Sequence, residues 1–262
     1  MRACIRFLKA AAVLCFLPAA LFVLWWALSA LKLVNAYLIP SPVKVFAAAA
    51  ELLRSGELGR HLLVSLYRVW AGYAISTCLA FPAALLLHYS PRLKKLFHGI
   101  LEFLRAVPPL AMIPLLILWL GIGEASKLAV IVLATFFPVF LNCLSGFDSM
   151  DSRWLELSKS LELSFFRHLR KVLIPAALPQ IVTGFRLGFG YAWRALLGAE
   201  LFAAASGLGY LITDAQEMAR VDVVFVGILT IGLMGLVFDK LLRSVTDAVS
   251  AGREDRNWSV HE

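Results

Sequence analysis

The sequence predicts an all-α, polytopic membrane protein of about six transmembrane helices, and three observations carry this. Of its 262 residues, 61% are hydrophobic and 16% charged, with a mean hydropathy of +0.81, too apolar a balance for a soluble domain of this length. The apolar residues gather in segments of about 20, long enough to cross a hydrocarbon core about 30 Å thick. Lys and Arg, which give a formal net charge of +8, fall largely at the ends of those segments. They form no basic patch interleaved with aromatics, so the charge does not point to nucleic acid.

Taken in order, Arg2, Arg6 and Lys9 precede an apolar run from Ala10 to Leu31. That run exceeds the roughly 7 to 15 residues of a signal-peptide core and reads as an uncleaved first span. The stretch from Asn35 to His61 holds two prolines and then a mixed helix too polar to cross, expected at or outside the membrane surface. A second span, Leu62 to Leu87, carries Arg68 near its outer end, where a long side chain can reach the interface, and Pro82 near its inner end. A short loop from His88 to Leu96 gathers Arg92, Lys94 and Lys95. The third span, Phe97 to Leu120, places Glu102 and Arg105 at i and i+3, close enough to pair. Pro108, Pro109 and Pro114 interrupt it, which favours a protein-lined interior over lipid.

Gly121, Gly123, Glu124 and Lys127 make the next turn, before a fourth span from Leu128 to Phe147. The fifth runs from Pro179 to Ala205, followed by the polar stretch Ser206 to Asp222, a last span from Val223 to Leu242, and a charged tail. With six spans, the N-terminal cations, the Arg92 to Lys95 cluster, the stretch holding Arg153, Lys159, Arg167, Arg170 and Lys171, and the tail with Arg243, Arg253 and Arg256 fall on one side. Positive residues mark the cytoplasm, so both termini and the central stretch are expected inside. Residues 1–262 read as one domain.

The charge-rich interruption from Asp148 to Pro179 organises the rest. Trp154, Leu157, Leu161 and Phe165 recur at spacings of three or four, one apolar stripe on a helix whose other faces carry Arg153, Glu156, Lys159 and Glu162. Ser164 is a good N-cap for a second helix, expected to end near Pro175. Such a stripe suits a groove in another protein, and equally a bilayer surface or its own bundle.

The run from Glu156 to Pro179 resembles the cytoplasmic EAA loop of ABC-importer permeases. Glu156, Leu157 and Ser158 stand at its three opening positions, Glu162 at its glycine, and IPAALP from Ile174 to Pro179 at its close. Two opening residues differ from the pattern, and Glu replaces Gly where a tight turn is expected. The segments ELLRSGELGRHLLVSLYRVWAGYAIS, LRAVPPLAMIPLLILWLGIGEASK and YAWRALLGAELFAAASGLGYLI look like the nitrate/sulfonate/taurine branch of those permeases. The resemblance runs from about Ile39 to Leu242. It implies a type I ABC importer permease fold in a bacterial inner membrane, a coupling loop over about 148–174, and docking of cytoplasmic ABC ATPase subunits through Trp154, Glu156, Leu157, Ser158, Leu161 and Glu162. It further implies a pair of permeases, an extracytoplasmic substrate-binding protein, and a small solute: a nitrate-, sulfonate- or taurine-like anion, or a vitamin precursor.

Other chemistries fare poorly against the residues. Cys4, Cys15, Cys78 and Cys143 match no metal or redox spacing and read as small apolar packing residues. The five histidines lie near loops or termini, no His-Glu-x-x-His occurs, and the Ser206-Gly207 pair has no base on a nearby span, so no catalytic or metal residue is assigned. There is no Gly-Lys dipeptide, hence no phosphate loop of the G-x-x-x-x-G-K type, and no cofactor is expected. An ion-coupled secondary carrier is the alternative, but only Glu200 approaches a mid-membrane carboxylate. Arg186 lies closest to the cytoplasmic end of the fifth span and reads as a snorkelling or structural residue. Arg194 and Glu200 suit either a translocation pathway or gate, or buried pairing with another span.

Overall fold

The computed structural model describes the backbone of residues 2–35 and 37–258, and the side chains outside 1–15, 36, 155, 159, 203, 245 and 248–262. The regular elements of the described chain are all helical, with α1 (Arg2–Ala30), α2 (Pro42–Arg54), α3 (Glu57–Tyr89), α4 (Pro91–Ala106), α5 (Ile113–Leu120), α6 (Glu124–Asp148), α7 (Ser152–Ser160), α8 (Phe165–His168), α9 (Ile174–Ala203), α10 (Leu208–Glu217) and α11 (Val221–Trp258). Its contacts gather into two compact units: Met1–Arg60 with Leu211–Thr230, and His61–Tyr210 with Ile231–Glu262.

In the first unit, Ser41 caps α2 by accepting from the Lys44 N–H, and Pro42 fills the first turn, where its missing donor costs nothing. Val45, Ala48 and Leu52 form the buried stripe of α2. The Trp25 indole donates to the Pro40 carbonyl at 3.0 Å and stacks on Phe225 with centroids 5.7 Å apart. Arg220 reaches Glu51 at 3.3 Å and Asp222 at 3.5 Å, a small ion cluster in the stretch expected to be polar.

The second unit is built on α6 against α9. Gly184 and Gly188 face Asn142, Val139 and Thr135 of α6 so closely that an added Cβ would lie 2.6 Å from Asn142 Cβ or Val139 Cγ2. Ala80, Ala84 and Leu87 of α3 join Val139, Phe140, Cys143 and Phe147 of α6 and Leu173, Ala177 and Ile181 in one core. Ile113, Leu116, Val130, Ala134, Ala195 and Ala199 form a second. Ile75, Leu79 and Leu86 of α3 and Leu229, Leu233 and Leu236 of α11 stay exposed, as side chains bathed in hydrocarbon can.

Four described helices are long and apolar enough to cross a membrane. The expected third span is not straight: α4 and the segment Pro109–Leu120 meet at 86°. Pro108 and Pro109 remove two consecutive donors, and Val107 takes the extended conformation that a following proline imposes (φ −76, ψ 120). The bent pair still makes a crossing. His88 at the end of α3 contacts Asp148 at the end of α6 at 2.9 Å, whereas Arg68 of α3 bonds Glu124 at the start of α6. The chain between Tyr89 and Glu124 therefore travels the length of α6, about 37 Å. The expected first span, Ala10 to Leu31, lies partly outside the described side chains, with Phe16–Ala30 a shorter apolar helix.

Two further expectations change. The loop from His88 to Leu96 is a single break at Ser90, whose hydroxyl caps α4. The helix opened after Ser164 does not end at Pro175 but continues through a π-helical turn, Leu169–Leu173, into α9. The wider turn shifts the hydrogen-bond register just where proline has no N–H to give. The stretch expected as a coupling loop, about 148–174, thus holds α7, α8, the π turn and the start of α9.

Candidate functional site

Three arrangements in the second unit draw on the residues singled out in the sequence. The first is the short helix α7 and the turn after it. Leu161 N–H bonds to the Leu157 carbonyl at 3.0 Å and Leu163 N–H to the Ser158 carbonyl at 3.1 Å, which closes the helix with the residue between them left-handed. That residue is Glu162, at φ 48. It occupies the glycine position of the EAA pattern, and the turn that glycine would serve is present. Trp154 is 54% exposed, and Leu157, Leu161 and Phe165 are likewise open, while Ser158 is buried. Glu156 is exposed and its carbonyl accepts from the Ser160 hydroxyl. Restoring the glycine by Glu162→Gly should be neutral or raise stability by up to about 1 kcal/mol, read as an unchanged or slightly higher melting temperature of the purified protein. A clear fall would show that the Glu162 side chain makes a contact worth more than the backbone strain.

The second arrangement is a buried ion network that the sequence alone did not reveal. Arg68, expected to reach the membrane interface, is only 2% exposed. All five of its N–H bonds are directed: Nε and Nη2 fork onto Glu124 at 2.7 and 2.6 Å, Nη1 reaches Glu200 at 2.8 Å and the Ser206 carbonyl at 2.5 Å, and Nη2 also reaches the Ser206 hydroxyl at 3.2 Å. Glu200 accepts in addition from Ser65 Oγ at 2.8 Å and from the Gly209 N–H at 3.0 Å. Lys127 donates to Glu124 at 3.0 Å. His61 Nδ1 accepts the Gly207 N–H, and Ser65 Oγ that of Leu208. Gly207 is at φ 116, and a Cβ there would overlap the Glu200 carboxylate. Two cations and two carboxylates thus balance, with Arg68, Glu200 and Lys127 buried and Glu124 half exposed, and they fix the turn from α9 into α10. Glu200 is therefore paired with Arg68 of α3, not with Arg194, and its side chain is buried. The Ser206 hydroxyl sits beside a guanidinium, which cannot act as a base.

The third arrangement is a cleft of about 340 Å³ along α9, lined by Arg186, Gly190, Tyr191, Arg194 and Asp239 among others. Arg186 is held by Asp239 at 2.7 Å. Arg194 is exposed, and its guanidinium lies over the Tyr191 ring at 5.9 Å. Glu102 accepts from Arg105 at 3.3 Å, the i, i+3 pair expected from the sequence.

Comparison with known proteins gives these arrangements a setting. The family model described as binding-protein-dependent transport system inner membrane component matches residues 76–251. The chain belongs to that family. It is 38% identical over 227 residues to a Bacillus subtilis (strain 168) protein named for aliphatic sulfonates transport, the permease SsuC, covering 87% of this chain and 82% of that one. It is 34% identical over 232 residues to the taurine transport system permease protein TauC of Escherichia coli (strain K12), covering 87% and 84%. Among solved structures it resembles inward-facing MetNI, a methionine ABC transporter, with TM-score 0.61 at 17% identity over 72% of this chain and 96% of the other. An amino acid ABC transporter crystallised with histidines gives TM-score 0.60 at 18% identity over 78% and 96%. The fold is that of the type I ABC importer permeases. The protein is a membrane permease subunit of an ABC importer, close to the sulfonate and taurine permeases. In this permease the matched residues include α7, the π turn and the cleft; Arg68 lies just outside the matched range, inside the longer alignments to the relatives.

Proposed function

We propose that this permease is driven by cytoplasmic ABC ATPase subunits that dock on α7 and its closing turn, and that it passes a small sulfonate- or taurine-like anion received from an extracytoplasmic binding protein. The observation that carries the docking is the open apolar face of Trp154, Leu157 and Leu161, ended by the left-handed Glu162. Desolvating that face against a partner groove is favourable at about 25 cal/mol per Å² of apolar surface. Glu156 would lie at the rim and Ser158 would anchor α7 from beneath. Hydrolysis belongs to the partners, since the chain has no phosphate-cradling loop. Two such permeases, most simply two copies of this chain, would enclose the path in a bacterial inner membrane.

Orientation follows from charge. Arg92, Lys94 and Lys95 begin α4, Arg153 lies on α7, and Arg167, Arg170 and Lys171 open the long helix into α9. Lys94 and His88 meet Asp148 at this same end, which the excess of cations assigns to the cytoplasm, together with both termini. The cargo class follows the names of the relatives and the cationic lining of α9.

Leu157→Asp tests the docking. A carboxylate desolvated in a protein groove costs several kcal/mol, so ATPase pull-down and uptake should both fall at least tenfold while the permease remains inserted. Intact association with Leu157→Asp would remove α7 as the docking element.

A further inference from the structure

The cleft along α9 has features that packing alone does not require. Arg186, Gly190 and Arg194 are spaced by four residues, so they lie along one side of the helix with the Cα atoms of the two arginines about 12 Å apart along the axis. Among the described residues only one carboxylate, Asp239, shares the lining, and it is already bonded to Arg186 at 2.7 Å and to Arg243 at 3.4 Å. Among the described residues Arg194 has no ion-pair partner, and its guanidinium lies over the Tyr191 ring. It stands well inside α9, part of a helix long and apolar enough to cross a membrane, where an unpaired charge calls for water or an anion beside it.

We propose that this face of α9 is a weak two-station seat for a small organic monoanion of the sulfonate type. Arg194 takes the head group, with Tyr191 and Gly190 leaving room for the short apolar body. Arg186 is the second station, and Asp239 is its exchangeable counter-ion: the carboxylate holds the guanidinium when the station is empty and yields to the passing anion. A single unsheltered cation backed by an aromatic ring binds loosely, as a conducting station must. The proposal rests on the anionic-cargo reading above and adds where in the permease the anion dwells.

Gly190 provides the test, because a Cβ added there meets nothing within 4 Å. With Cys4, Cys15, Cys78 and Cys143 replaced by Ala, Gly190→Cys is placed in the assembled complex in nanodiscs. It is then labelled with two methanethiosulfonates, one carrying a sulfonatoethyl group and one a trimethylammonioethyl group. Each rate is divided by the same reagent's rate with free 2-mercaptoethanol. The normalised ratio should favour the anionic reagent, fall about tenfold on Arg194→Gln, stay high on Arg194→Lys, and rise on Asp239→Asn. Ethanesulfonate should slow the labelling, and the neutral methyl ethyl sulfone should not. A ratio at or below one, a ratio unmoved by Arg194→Gln, or a thiol closed to both reagents would overturn the seat. Uptake of ethanesulfonate by the unlabelled complex is read separately. Uptake without an anion preference at residue 190 refutes the seat alone, and a preference without uptake refutes the cargo class alone.

Discussion

Replacing Arg68 by methionine should remove most of the folded permease. The change leaves Glu200 buried with only Ser65 and the Gly209 N–H, and leaves Glu124 to Lys127 alone. Breaking a buried pair by deleting one partner costs about 3–5 kcal/mol, because the remaining charge is uncompensated. Arg68→Lys should recover little: an ammonium has three donors and no fork, and cannot serve two carboxylates and Ser206 together. Adding Glu200→Gln to Arg68→Met should restore part of the loss, since the orphaned charge is gone. The measurement is the amount of monodisperse protein after extraction and its melting temperature. If Arg68→Met were as stable as the parent, the network would not be what holds the α9–α10 turn, and uptake per folded complex would have to be examined for a gating role instead.

The sequence made much of the fold legible where the signal is local. Ser41 before Pro42 and the spacing of Val45, Ala48 and Leu52 announce α2, and the long apolar runs announce α3, α6, α9 and α11. Trp154 and Leu157 of the stripe were readable as α7, whereas Leu161 and Phe165, expected on the same helix, lie beyond its end at Ser160, and the tight turn at Glu162 was implied by the resemblance to the EAA loop. The failures are non-local. Consecutive prolines foretell an interruption but not a bend of 86°, which depends on what α4 and the residues after it pack against. Pro175 reads as a stop in one dimension, yet a π turn absorbs it because the apolar face continues to pay into the α6 contact. Arg68 looked like an interfacial residue because its partners lie 56 and 132 positions away. One signal was available: Arg68, Glu124, Lys127 and Glu200 all fall toward the end where the parallel helices α3 and α6 begin and the antiparallel α9 finishes, and their charges sum to zero. Charge balance across span ends, rather than the hydropathy of each span, would have brought them together.

The contact of α6 with α9 makes the second large prediction. Gly184→Ala places a methyl 2.6 Å from Asn142 Cβ and 3.4 Å from the Pro138 and Val139 carbonyl oxygens, atoms fixed by the α6 backbone that no rotamer can move aside. The helices must separate, at a cost of about 1–3 kcal/mol for overpacking, and more for Gly184→Leu. Gly188→Ala meets Val139 Cγ2 at 2.6 Å and should cost a similar amount, because a buried β-branched side chain in a helix has little freedom to turn aside. The two should not add, because one separation of the helices relieves both contacts. Gly232→Ala in α11, where an added Cβ meets nothing within 4 Å, should be neutral or slightly stabilising, by up to about 1 kcal/mol. Since α9 carries the cleft and continues from the segment after α7, a shift here should also lower uptake per folded complex. Melting temperatures of the three variants decide the first point: if Gly184→Ala and Gly232→Ala behaved alike, close approach at Gly184 would not be what packs α9 on α6.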